Sequence, residues 1–227
     1  MAEVDVGFEK LLDSDLTVGG LYRGGTAGNS GDDPIDRLLH CGNMGGFRIV
    51  GSSRGPSYSL VVLYTTFRDP DWPDRLDPEK GLFVYYGDNK KPGRLLHDTP
   101  KGGNELLRIC FDAIHVEPAH RERVPPFFIF SKAGSGRDVI FHGLAAPGAA
   151  DLGETTDLVA FWRTKGSERF QNYHATFTIL DVEVIPRAWI RDLLAGVSMR
   201  ETAPAAWQQW VKGATYDALR LRDRVVS

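Results

Sequence analysis

Leu60–Arg94, LVVLYTTFRDPDWPDRLDPEKGLFVYYGDNKKPGR, sets one carboxylate among aromatic rings and then turns basic. The ends of its apolar part, Ser59–Thr66 and Gly81–Tyr86, read as strands; the acidic DPDWPDRLD between them is turn chemistry, and GDNKKPGR is a basic loop. Asp74 is the candidate carboxylate. Tyr85, eleven positions later, is one candidate stacking ring, and Tyr64 or Trp72 is the other. Cytosine presents an exocyclic amino group that a carboxylate can accept and a flat face that a ring can stack on, as in pockets that hold a base flipped out of a duplex. Against this stands the ordinary reading, in which strand aromatics are core and acids beside proline are turn residues.

Outward from this segment, further strand-like runs occur at Phe47–Gly51, Pro126–Ser131, Asp138–Leu144, Leu158–Arg163 and Ala175–Leu180. With the two above, these predict a curved sheet or barrel. A short helix is expected over Pro34–His40 and a longer one over Asn104–His115, whose Leu106, Leu107, Cys110, Phe111 and Ile114 form one stripe. Towards the end, Pro186–Leu194 and Pro204–Leu221 read as helices, the second with Thr202 as cap and with Trp207, Trp210, Val211, Ala214 and Ala218 on one face. A boundary near Gly196 divides a body, residues 1–195, from a helical tail or linker, residues 196–227.

A chain of 227 residues suits one large mixed α+β domain with an appendage. No run of about 18 apolar residues is present, and MAEVDVGFEK lacks a signal peptide's basic start and apolar core, so a soluble cytoplasmic protein is expected. Cys41 and Cys110 form no CxxC pair and read as small buried residues, not as a metal site. The net charge of −3 hides an asymmetry: residues 1–39 hold eight acids against three bases, which leaves the remainder at +2. Basic clusters sit at Lys90, Lys91, Arg94 and Lys101, at Arg121 and Arg123, and at Arg163, Lys165 and Arg169, each beside glycine or proline. Any one of them alone is an ordinary solvated face, but three such loops on one side make a phosphate-binding groove.

The order of apolar strand, acidic turn, FVYYG and basic loop resembles SRA (SET- and RING-associated) domains. Over a longer stretch the chain resembles the N-terminal half of modification-dependent restriction endonucleases of the MspJI family, in particular the AspBHI-like branch. The residues that carry the resemblance are GGTAGNSGDDPIDRLL (24–39), GNMGGFR (42–48), DPDWPDRLD (69–77), GLFVYYGDNKKPGRLLHDT (81–99), GGNELL (102–107), PPFFIF (125–130) and RFQNYHATFTILD (169–181). It implies an SRA-like, PUA-superfamily-like curved β-barrel with packed helices. It also implies a reader of duplex DNA carrying 5-methylcytosine or 5-hydroxymethylcytosine, which flips the modified base into a pocket of Asp74, Tyr85 and Tyr64 or Trp72. Lys90, Lys91, Arg94 and Lys101 are then phosphate contacts or fill the vacated stack, Asn29 and Asn43 lie in glycine-rich loops that approach the grooves, and Arg163, Lys165 and Arg169 are candidates for the flanking bases. The related enzymes continue into a nuclease domain, so a nuclease effector in the parent chain or in a partner protein is expected. Homo-oligomerisation stays open.

No catalytic chemistry emerges from the residues themselves. The six histidines share no metal-ligand spacing beyond His115 and His120, which flank Pro118. Asp181 and Glu183 suggest a nuclease acid pair, but Ile185 stands where the lysine belongs. GSGRD at 134–138 lacks the lysine of a phosphate loop, and the PCxxC motif of zinc deaminases is absent. The expectation is a recognition domain without cofactor or metal. The competing readings are a barrel that binds a small molecule or a protein, and a nuclease with a divergent motif.

Overall fold

The computed structural model describes residues 4–51, 58–116, 118–134, 136–213 and 215–220. The chain begins with β1 (Asp5–Val6), β2 (Leu16–Thr17) and β3 (Leu21–Tyr22), then α1 (Pro34–Leu39), β4 (Phe47–Gly51), β5 (Tyr58–Thr65), β6 (Arg75–Asp77) and β7 (Leu82–Tyr86). Helix α2 (Gly103–Val116) leads into β8 (Phe127–Lys132) and β9 (Val139–Pro147), followed by α3 (Glu154–Asp157), β10 (Leu158–Lys165) and β11 (Glu168–Ile179). β12 (Val184–Ile185), α4 (Arg187–Leu194) and α5 (Ala205–Val211) complete it.

Ten strands share one sheet, whose main path runs β4-β5-β8-β9-β11-β7-β6. The mixed α+β class holds, while the barrel stays open: among the described residues no ladder joins β4 to β6 or β7. Side chains close the seam instead. Phe47 of β4 meets Tyr85 of β7 with ring centroids 6.1 Å apart, which strands this distant in the pairing order reach only if the sheet curls strongly. β5 and β8 are parallel, and a parallel neighbour needs a long crossover. Here that crossover carries the acidic turn, β6, β7, the basic loop and α2, so the fold itself lifts the informative segment onto one end of the sheet.

The core is aliphatic and aromatic. Val61, Leu63, Phe127, Ile129, Phe141 and Phe177 are fully buried, and α2 covers them with Leu107, Cys110 and Phe111. Of the segment after Gly196, expected as a helical tail, Ala203, Trp207, Trp210, Val211 and Leu219 belong to this same core: Trp207 and Trp210 are at most 1% exposed, and Trp207 packs 6.1 Å from Trp189 of α4. α5 is shorter than expected. It ends at Val211, two residues before Gly213 with φ 84°, and by Ala218 the chain has become extended enough to bridge Leu180. Thr202 does not cap it; its hydroxyl donates to Asp192, 2.6 Å away. Ala214 and Leu221 lie outside the described residues.

Candidate nucleic-acid interface

Pro73 explains where Asp74 sits. Proline has no N–H to give to a ladder, so β6 begins only at Arg75, paired with Val84 of β7. The next ladder donor on β7, the Tyr86 N–H, is then taken by the Asp74 Oδ1 at 2.9 Å: the side chain continues the sheet where the backbone stops. The Thr65 hydroxyl, at the end of β5, also hydrogen-bonds this carboxylate. Asp74 is 8% exposed, and burial pushes its carboxyl above the usual range, opposed by the Tyr86 N–H, by Thr65 and by Lys90. Among the described residues it joins no ion pair, so its remaining lone pairs are available to a ligand.

They face a cavity of about 450 Å³. Its lining includes Asp74, Thr65, Thr66 and Tyr64, then Asn43, Gly45, Gly46 and Arg48, and the charged Asp69, Lys90, Lys132 and Arg137. That volume falls within the ~300–1,000 Å³ of small-ligand clefts. Two of the three carboxylates are neutralised locally. Asp33 caps α1 and takes a bidentate pair from Arg48 at 2.9 and 3.0 Å, and Asp69 lies 3.8 Å from Lys90. Arg48 also holds a ring, since its guanidinium carbon is 5.6 Å from the centroid of half-buried Tyr64. Gly46 is obligatory here: a Cβ would stand 2.6 Å from the Tyr64 carbonyl and 3.1 Å from the Tyr85 hydroxyl.

Of the four expected pocket residues, Asp74 and Tyr64 line the cavity, while Tyr85 and Trp72 do not. Strand alternation is the reason. Tyr85 points inward with Phe83, is 3% exposed, and reaches the site only through its hydroxyl beneath Gly46. Tyr86 points the other way, onto Trp72, which is 5% exposed among Phe161 and Phe170.

Buried amides hold the basic loop. Asn172 Oδ1 accepts from the Asn89 N–H and from Asn104 Nδ2, and its own Nδ2 donates to the Gly87 carbonyl at 2.9 Å. Asp88 caps the start of α2 through the N–H groups of Gly103 and Asn104. A Cβ on Gly87 would stand 2.0 Å from Asn104 Oδ1. The loop therefore presents Lys91, Arg94 and Lys101 to solvent from a fixed frame, with Lys90 at the cavity. Lys101 donates to the Met44 carbonyl and so ties this loop to the glycine-rich one. Asn43 lines the cavity and donates to the Ser30 carbonyl, whereas Asn29 does not line it and makes a local turn with Gly31. Arg163, Lys165 and Arg169 lie apart from the cavity on the β10–β11 hairpin.

Sequence reasoning missed Arg48, Lys132 and Arg137 in the lining, and Met44, 71% exposed between two lining residues. The glycines around GNMGGFR were the available signal for Met44 and Arg48; nothing local marks Lys132 or Arg137. The Asp181 and Glu183 pair, which suggested a nuclease acid motif, is exposed and lies outside any strand.

A sequence profile described as "Restriction endonuclease AspBHI N-terminal" matches residues 16–222. Among solved structures, the "DNA modification-dependent restriction endonuclease AspBHI" is 43% identical with a TM-score of 0.89, over 95% of this chain and 99% of that one. The "DNA recognition domain of the cytosine modification-dependent restriction endonuclease LpnPI" is 42% identical with a TM-score of 0.87, over 96% and 97% of the respective chains. MspJI in complex with a 27-mer oligonucleotide shares the fold at 19% identity and a TM-score of 0.65, over 90% of this chain and 54% of that one. No curated protein matches.

Proposed function

Because the chain belongs to the restriction endonuclease AspBHI N-terminal family, we propose that it is the DNA-reading part of a modification-dependent restriction system and captures a modified cytosine flipped from duplex DNA. The observation that carries this is Asp74: a buried carboxylate that joins no ion pair among the described residues, on the wall of a cavity with room for a base beside Tyr64, in a chain 42% identical to a cytosine modification-dependent recognition domain. The cytosine N4 amino group donates to Asp74, and thymine, with a carbonyl at that position, is repelled. Tyr64 stacks on the base, worth roughly 1–3 kcal/mol, against an unpairing cost of a few kcal/mol. Capture therefore also needs phosphate contacts, for which Lys90, Lys132 and Arg137 stand at the cavity and Lys91, Arg94 and Lys101 are exposed on the loop after β7. Met44, beside the cavity, fills the space the base leaves.

A buried methyl adds only about 0.8 kcal/mol, so preference for 5-methyl- or 5-hydroxymethylcytosine over cytosine is a few-fold from the methyl alone. Cutting belongs to a nuclease domain or subunit that this reader directs, and the compartment is the one that holds the DNA. Fluorescence polarisation with duplexes differing only in the modified base tests the reading. The wild type prefers the modified duplex a few-fold; Asp74→Ala loses a hydrogen bond to a charged group worth about 1.5–3 kcal/mol, weakens capture of the flipped base roughly 10–100-fold and with it removes the preference, while salt-sensitive background binding persists. Equal binding of both duplexes by the wild type, or an intact preference in Asp74→Ala, overturns it.

A further inference from the structure

β10 and β11 pair from Leu158 with Ala175 to Lys165 with Glu168, but β7 joins β11 only from His174 onward. The outer part of this hairpin, residues 161–172, is thus a two-stranded ribbon beyond the sheet. Such a ribbon is marginal unless one face is packed. Trp72 packs it: Phe161 and Phe170 lie 6.1 Å from its ring, and Arg163 covers it at 5.0 Å while donating to the Asp71 carbonyl. Trp72 and Arg163, expected at the base and at its neighbours, are the brace of this ribbon.

The other face is open. It carries Trp162, 56% exposed, with the Arg169 guanidinium 4.8 Å from its ring centroid. The remaining four tryptophans of the chain are at most 5% exposed, so Trp162 is singled out. Around the turn, Lys165 and Arg169 are exposed together with the single acid Glu168. The root of the ribbon adjoins the cavity, because Lys90, which lines it, lies 6.0 Å from the same Trp72 ring.

We infer that the open face of the β10–β11 ribbon is a second contact with the duplex, lying along a groove beside the flipped base, with Trp162 against sugars or base edges and Arg169 on phosphates, and with Lys165 at the turn beside them. This rests on the reading of the chain as a DNA reader, and the cationic turn is what selects DNA over a protein partner. A two-stranded ribbon fits the major groove, and a cation stacked on an aromatic ring leaves its N–H edge free for phosphate.

Tryptophan fluorescence isolates the contact. Acrylamide quenches Trp162 in the free protein, and Trp162→Phe abolishes most of that quenching. On binding either modified or plain duplex, Trp162 becomes protected. Trp162→Ala and Arg169→Ala weaken both duplexes roughly five- to tenfold, as an interface anchor does, without altering the preference between them. Both residues are exposed, so the variants keep the fold. If Trp162 stays quenchable in a complex that still prefers modified DNA, the ribbon contact is overturned while the cavity reading survives. If preference is absent but Trp162 is protected, the cavity reading fails and the ribbon stands. Protection that rises with protein concentration without DNA identifies a second copy and also overturns the inference.

Discussion

Successive tyrosines on β7 serve opposite regions. Tyr85 packs with Phe47 and Phe83 beneath a cavity walled by Arg48, Asp33, Asp74 and Lys90, whereas Tyr86 packs with Trp72, Phe161 and His174 in the brace of the ribbon. Alternation along one strand thus separates a polar cavity side from an aromatic supporting side. In the first, buried charge is arranged around one carboxylate left outside the ion pairs. In the second, the cation Arg163 overlies the Trp72 ring and donates to the Asp71 carbonyl.

The strongest way to break this contrast is to damage both sides equally. Arg48→Ala strands Asp33 in a buried site and should cost about 3–5 kcal/mol of stability. Trp72→Ala, a large-to-small change in a packed cluster, should also cost about 3–5 kcal/mol. Urea melts check both losses. At a temperature where each is folded, Arg48→Ala, whose Tyr64 ring has lost its support, should discriminate poorly between modified and plain duplex, and Trp72→Ala should discriminate normally but bind less. Equal discrimination would erase the division.

A smaller effect sharpens it. Lys91→Ala should weaken all duplexes evenly and reduce the slope of log K against log salt by about 0.9, measured in a salt titration. A changed preference would move Lys91 from the phosphates to the base.

The smallest is a pH effect. Burial raises the Asp74 carboxyl, so as pH falls through that raised value the acceptor is protonated, and preference for modified cytosine should decline more than plain binding does. For stability the sign is opposite: the folded state takes up this proton more readily than the unfolded one, so Asp74 contributes stability in acid that is lost as pH rises. Polarisation and thermal melts across mildly acidic pH check the two trends, and Asp74→Ala should remove both.

All seven strands expected from alternation and turns are present, because long, half-buried strands write their pattern into the sequence. β1, β2, β3 and β12 were not legible: two-residue strands have no period. β6 hid inside the acidic turn for a similar reason, being three residues long. The C-terminal helix was overextended because Ala218 continued the tryptophan stripe, although Gly213 already marked the stop. Of the cavity lining, Asp74 and Lys90 were readable locally. The choice between Tyr64 and Trp72 was not, since it depends on which side of the crossover each falls, and Lys132 and Arg137 reach the cavity only through the pairing of β8 with β9.

The carboxylate that takes over the ladder after Pro73 has one more consequence. The Tyr86 amide proton points at the group proposed to sense the ligand, so its ¹H–¹⁵N resonance and its exchange with D₂O are a built-in gauge of what that group holds. A base amine arriving on the other lone pairs draws electron density away from this bond. Occupancy becomes visible from the main chain, with no label on the nucleic acid.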